Sequence, residues 1–149
     1  MRMSRRPLTP LMALLSIIVL ISGCSKAGLE YIPAGGTYTM QDAQSAAAVA
    51  SLDSVRDVMT ADASALRTDR LTDLRSNGDE ASALADMLTV DFPSEIAAVP
   101  LRIEAATVDG TSVWLVIEAW GDEGEVLTHR RLWVIDKTTL EVIGSSSYR

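Results

Sequence analysis

The sequence predicts an α+β domain, with N-terminal helices packed on a four-stranded antiparallel β-meander. Three observations carry that expectation. Between Met40 and Arg75 no Gly or Pro interrupts an Ala-rich stretch whose apolar residues recur at helical spacing. From Leu101 onward the period drops to two, and β-branched and aromatic residues take over. Asp109-Gly110, between two such runs, is the strongest short hairpin signal a sequence carries. Helices first and strands afterwards is the α+β order, and 149 residues suit one domain.

Residues 1–23 differ from the rest. Arg2, Arg5 and Arg6 precede the apolar run Leu8–Ser22, which ends in small residues. A basic start, a short apolar middle and a small-residue exit describe an export signal. The run is short for a bilayer span, which needs about 20 apolar residues. An uncleaved anchor and an ordinary secretory peptide are the alternatives. Ser4-Arg5-Arg6-Pro7-Leu8 resembles part of a twin-arginine motif, but the strongly apolar "LLSIIVLI" favours general secretion.

The exit site Ile21-Ser22-Gly23-Cys24 resembles the lipobox of bacterial lipoproteins: aliphatic, small, small, cysteine. The resemblance implies a diacylglyceryl group on the Cys24 thiol and cleavage between Gly23 and Cys24. Cys24 is the chain's only cysteine, so it forms no disulfide within the chain. Each buried methylene contributes about 0.8 kcal/mol, so one acyl chain holds marginally and two hold stably. The expected location is therefore the exported side of a cell membrane or outer membrane, attached by lipid. Residues 24–38, with Pro33, Gly35 and Gly36, read as the lipidated Cys and a tether, on which Tyr31 and Ile32 could pack against the domain.

The domain is expected over residues 39–149, with helices in 39–90 and the sheet in 101–146. Thr39-x-x-Asp42 resembles a capping box with the shorter acid. Val49, Leu52, Val55 and Met59 continue at helical spacing, and Ala63, Leu66 and Leu74 keep near the same phase. One long helix fits, as do two hinged near Thr60–Asp62, where Thr60 and Asp62 are both able to cap. Ser76-Asn77-Gly78 supplies a helix stop, and a shorter helix follows from Asp79 to about Thr89 with Ala81, Leu84, Ala85 and Leu88 on one side. Pro93 and Pro100 bracket a connector.

The strands are "LRIEAATV", "TSVWLVIEAW", "EVLTHRRLWVID" and "LEVIGSS", the last joined through "KTT". The second is apolar on both faces, which suits a central strand. The turn Gly121–Gly124 permits two registers, and a slip of one residue changes which face His129, Arg131 and Trp133 share with Trp114. The segment "VWLVIEAWGDEGEVLTHRRLWVIDKTTLEVI" resembles the C-terminal hairpins of PepSY domains and, more loosely, cystatin-like envelope domains, with Leu140 where the closing turn usually carries Gly. That resemblance implies an exported or membrane-attached setting and a role in restraining proteases.

Charge excludes some functions. Residues 1–23 hold three arginines and no acid, so their removal takes the formal net charge from −7 to −10. Nucleic acid is an unsuitable partner for such a surface, and so is anionic lipid without the acyl anchor. His129, the only histidine, lies between strand residues and beside two arginines, with no partner motif for catalysis. One histidine and a lipidated cysteine leave too few soft ligands for zinc, and no EF-hand spacing occurs. No P-loop, dinucleotide fingerprint or G-x-S-x-G elbow is present, and no cofactor is expected.

Trp114, Trp120, Trp133, Arg130 and Arg131 remain as a candidate binding surface. Trp and Arg are enriched at interface hot spots, and guanidinium stacks on indole. The same tryptophans also suit a core beneath the helices. The expected function is a non-catalytic, membrane-anchored envelope protein that binds a protein or peptide. The alternatives are a small-molecule binder with a Trp-lined pocket, and a small hydrolase using His129 or a Glu104/Glu118 carboxylate pair.

Overall fold

The computed structural model describes residues 28–92 and 97–149. The export signal, the Gly23/Cys24 junction and Pro93 lie outside the described residues. The described chain is α+β, with three helices before the main strands of a six-stranded mixed sheet.

The elements in chain order are β1 (Glu30–Ile32), β2 (Thr37–Tyr38), α1 (Met40–Ala48), α2 (Ala63–Arg75), α3 (Asp79–Val90), β3 (Ala98–Val108), β4 (Thr111–Trp120), β5 (His129–Asp136) and β6 (Val142–Tyr148). β3 to β6 form the expected antiparallel meander. Two short strands are added at its β3 edge: β1 and β2 each pair parallel with β3. Residues 28–38, inside the stretch read as a tether, are held against the sheet. Leu29 is buried, and Gly36 and Tyr38 accept from the amides of Thr107 and Asp109.

β4 shows why helices are needed on both sides. Val113, Leu115, Ile117 and Ala119 enter one apolar cluster, while Trp114 and Val116 enter another. With an unbroken apolar run from Val113 to Ile117, neither face of the strand tolerates water. Ala43 and Ala47 of α1 pack in the first cluster; Ala81, Leu84, Ala85 and Leu88 of α3 pack in the second. α2 bridges them, with Ala63 and Leu66 in the first and Leu71 and Leu74 in the second. Helices thus cover both faces of the sheet.

The capping box forms: Thr39 Oγ1 accepts from the Asp42 amide and Asp42 Oδ2 from the Thr39 amide, both at 3.1 Å. The helical region is split in two, but the break is wider and earlier than Thr60–Asp62. α1 ends at Ala48, and Val49 is 79% exposed where helical phase put it with the core. Residues 49–62 run as loop and two short 3₁₀ turns. Their carbonyls find partners elsewhere: Ala50 accepts from Arg130, and Val58 accepts from the Leu127 amide. Asp62 makes no side-chain cap, and Thr60 Oγ1 instead accepts from the Gly124 amide.

Three strand boundaries also differ. β3 begins at Ala98 and contains Pro100, which is accommodated at an irregularity between Pro100 and Arg102. β5 begins at His129, not Glu125, because Val126 forms a bridge to Met59 and the Glu125 carbonyl accepts from Thr60. β6 extends to Tyr148. In the β5–β6 turn Leu140 adopts φ +58°, a left-handed conformation its half-buried side chain offsets by packing in the α2–α3 cluster.

Candidate functional site

The register across β4–β5 settles which candidate side chains meet. Trp114 pairs with Ile135, Val116 with Trp133, Glu118 with Arg131 and Trp120 with His129. By strand alternation all three tryptophans, with Glu118, His129 and Arg131, lie on the α2–α3 face. Arg130 points to the α1 face, where its Nε donates to the Ala50 carbonyl at 2.6 Å.

The five candidate residues therefore divide. Trp114 is 2% exposed, against Tyr31 and beneath the Lys137 ammonium at 4.8 Å, and belongs to the core. Trp133 is half-buried: Phe92 packs on its ring at 4.6 Å, and its Nε1 donates to Glu118 Oε2 at 2.8 Å. Trp120 is half-buried and belongs to neither apolar cluster. Its Nε1 donates to the Arg130 carbonyl at 3.1 Å, which fixes the ring across the end of the sheet.

Arg131 joins these two half-buried rings. Its guanidinium carbon lies 5.3 Å from the Trp120 centroid and 5.5 Å from that of Trp133, within cation–π range of both. The Arg149 guanidinium, which sequence reading did not single out, also stands 5.3 Å from Trp120. His129 lies 4.6 Å from the same ring and 3.8 Å from Asp122. Among the described residues Arg131 and Arg149 have no carboxylate within 4 Å, whereas Arg56, Arg67 and Arg75 each have one and Arg102 has two. The result is a short row of indole and guanidinium at one end of the β4–β5–β6 surface.

The carboxylate pair is overturned by the same alternation. Glu104 pairs with Leu115 and faces α1; Glu118 faces α2. Each is buried in its own set of bonds. Glu104 Oε1 accepts from the Gly36 amide and the Tyr38 hydroxyl, both at 2.9 Å, and Oε2 accepts from Arg102. Glu118 accepts from Arg67 and Trp133. Two carboxylates on opposite sides of a sheet share no substrate.

Two clefts among the described residues have no tryptophan in their lining. One of about 310 Å³ lies between α2 and α3, lined by residues such as Arg67, Arg75, Thr89 and Phe92. Another of about 590 Å³ borders Thr60, Ala97 and Gly121. Neither has the tryptophan lining the small-molecule alternative expected. Among the described residues no group of three His, Cys, Asp or Glu is placed to hold a metal, and no helix is long and apolar enough to cross a membrane.

No protein-family model matches this chain, and no curated protein or solved structure matches it at a significant level.

Proposed function

We propose that this chain is an exported, lipid-anchored envelope protein whose domain binds a protein or peptide without catalysing a reaction. The anchoring half rests on the order of residues in 1–24, ending in Ile21-Ser22-Gly23-Cys24. The binding half is carried by one observation: Arg131 is stacked between the half-buried Trp120 and Trp133 and has no carboxylate partner within 4 Å among the described residues. An ordered arginine between aromatic rings retains its charge and its outward donors while losing little freedom on binding, which is how hot-spot residues act.

The test is site-specific cross-linking in the full, membrane-attached chain. A photo-reactive residue at Ser147, opposite Arg131 on β6, should trap one reproducible partner. The same residue at Asp86, on the exposed side of α3, should not trap it. Equal products from both positions, or none from Ser147, would remove the proposal.

A further inference from the structure

We infer that the outer edge of β6 accepts an extended acidic peptide as an added strand, with a peptide carboxylate held against Arg131. This rests on the binding reading above and specifies its partner and its geometry.

The sheet treats its two edges differently. β1 and β2 cover β3, while β6 ends the strand order with no strand beyond it among the described residues. Edge strands are commonly protected by shortness, by Lys or Pro, or by bulges along their length. β6 is seven residues long, reads "VIGSSSY" and has neither Pro nor charge. Its irregularity lies near its start, opposite Val134/Ile135, so Gly144–Tyr148 runs regularly along β5.

The surface behind this edge is open to an incoming side chain. On the α2–α3 face Ser145 stands beside Trp133, and Ser147 beside Arg131. Both serines are small and exposed. A strand added about 4.8 Å outside β6 lies two spacings, about 9.6 Å, from β5, so a peptide Glu beside Ser147 and the long Arg131 side chain meet by each leaning over the small serine between them. Near the other end of the strand Val142 and Ile143 are 42% and 48% exposed and offer an apolar contact.

Charge selects the occupant. Arg131 and Arg149 gather around Trp120 in a chain of formal net charge −7, and Glu118, the cross-strand neighbour of Arg131, is already engaged by Arg67 and Trp133. A second copy pairing β6 with β6 would bring no acid between Val142 and Tyr148 to meet Arg131. A non-peptide polyanion would satisfy the arginines but not the edge N–H and C=O groups, which another backbone matches.

The experiment uses the full-length protein in detergent micelles and a fluorescent peptide about ten residues long, alternating Thr and Glu with a Val pair at one end. Fluorescence anisotropy should show saturable binding. Arg131→Gln and Ser147→Glu should each weaken it about tenfold or more, the scale of a lost charge-assisted contact. Ser147→Glu is a surface change and gives Arg131 a carboxylate within the chain. Methylation of alternate peptide amides should abolish binding, and a Lys-for-Glu peptide should not bind. Equal binding of the Lys peptide, or of a sulfated oligosaccharide, would overturn the proposal. So would sedimentation as a dimer that the peptide does not dissociate. Undiminished binding after amide methylation would overturn strand addition alone, leaving a partner cross-linked at Ser147 intact.

Discussion

Arg67 of α2 meets Glu118 of β4 inside the protein, with 4% and 2% of the two side chains exposed. Arg67 also donates to the carbonyls of Ala98 at 3.1 Å and Leu88 at 3.0 Å, so one guanidinium joins both helices of the α2–α3 pair to the sheet. Removing either partner strands a buried charge, a loss of about 3–5 kcal/mol. Arg67→Met and Glu118→Leu should each lower the unfolding free energy measured by urea titration by that amount, and the double variant should recover most of it. Single variants within about 1 kcal/mol of the parent would show that water reaches the pair.

Gly35 approaches Glu104 so closely that a Cβ there would overlap its carboxylate. The Gly35 amide also donates to the Ala105 carbonyl at 2.7 Å, holding the segment between β1 and β2 against β3. Gly35→Ala should cost about 1–3 kcal/mol, the scale of overpacking. It should also raise amide exchange at Gly36 and Tyr38 before the rest of the sheet. Unchanged exchange would place the strain elsewhere.

The pH limits follow from the same contacts. Burial first, then the hydrogen bond to Glu104, pushes the Tyr38 phenol above its ordinary value of 10.0. The folded state therefore retains that proton longer than the unfolded chain. Stability from this phenol is whole below pH 10 and is lost as pH rises through the unfolded towards the folded value. Tyr38→Phe should flatten the alkaline decline in denaturation midpoint. At the acid end the Thr139 and Thr138 amides hold the Asp136 carboxyl below its ordinary 3.8, so its support of the β5–β6 turn is present above pH 3.8 and is lost as pH falls from there through the lower folded value. A carboxyl-carbon NMR titration of Asp136 should show the low midpoint, and one at the ordinary value would contradict the turn geometry.

Lipid attachment has its own check. Cys24→Ala should either release the protein from membranes or leave an uncleaved precursor, and mass spectrometry of the parent should find acyl groups on residue 24. A mature form lacking them would remove the anchor while leaving the domain's binding surface untouched.

The meander was legible because its signals are local. Asp109 and Gly110 take left-handed conformations in their turn, and β4 reads as a central strand because it is apolar on both faces. The doubly covered sheet follows from that composition, yet the helix sequences do not say which face each takes. The break after α1 was hidden because Val49, Leu52 and Val55 keep helical phase, while what ends the helix is distant: Arg130 takes the Ala50 carbonyl. β1 and β2 are too short to show periodicity, and their place depends on Glu104, sixty-eight positions from Gly36. For the candidate site, residue types were readable but register was not. Pairing Trp120 with His129 separates Arg130 from Arg131 and isolates the surface row from the buried Trp114.

That separation gives the most direct test of the account. The indole N–H resonances of the three tryptophans can be followed as the alternating Thr/Glu peptide is added to the full-length protein. Trp120 and Trp133, which flank Arg131, should shift in saturable fashion, while buried Trp114 stays still. Movement of Trp114 alone, or of none of the three at saturating peptide, would contradict a binding surface centred on Arg131.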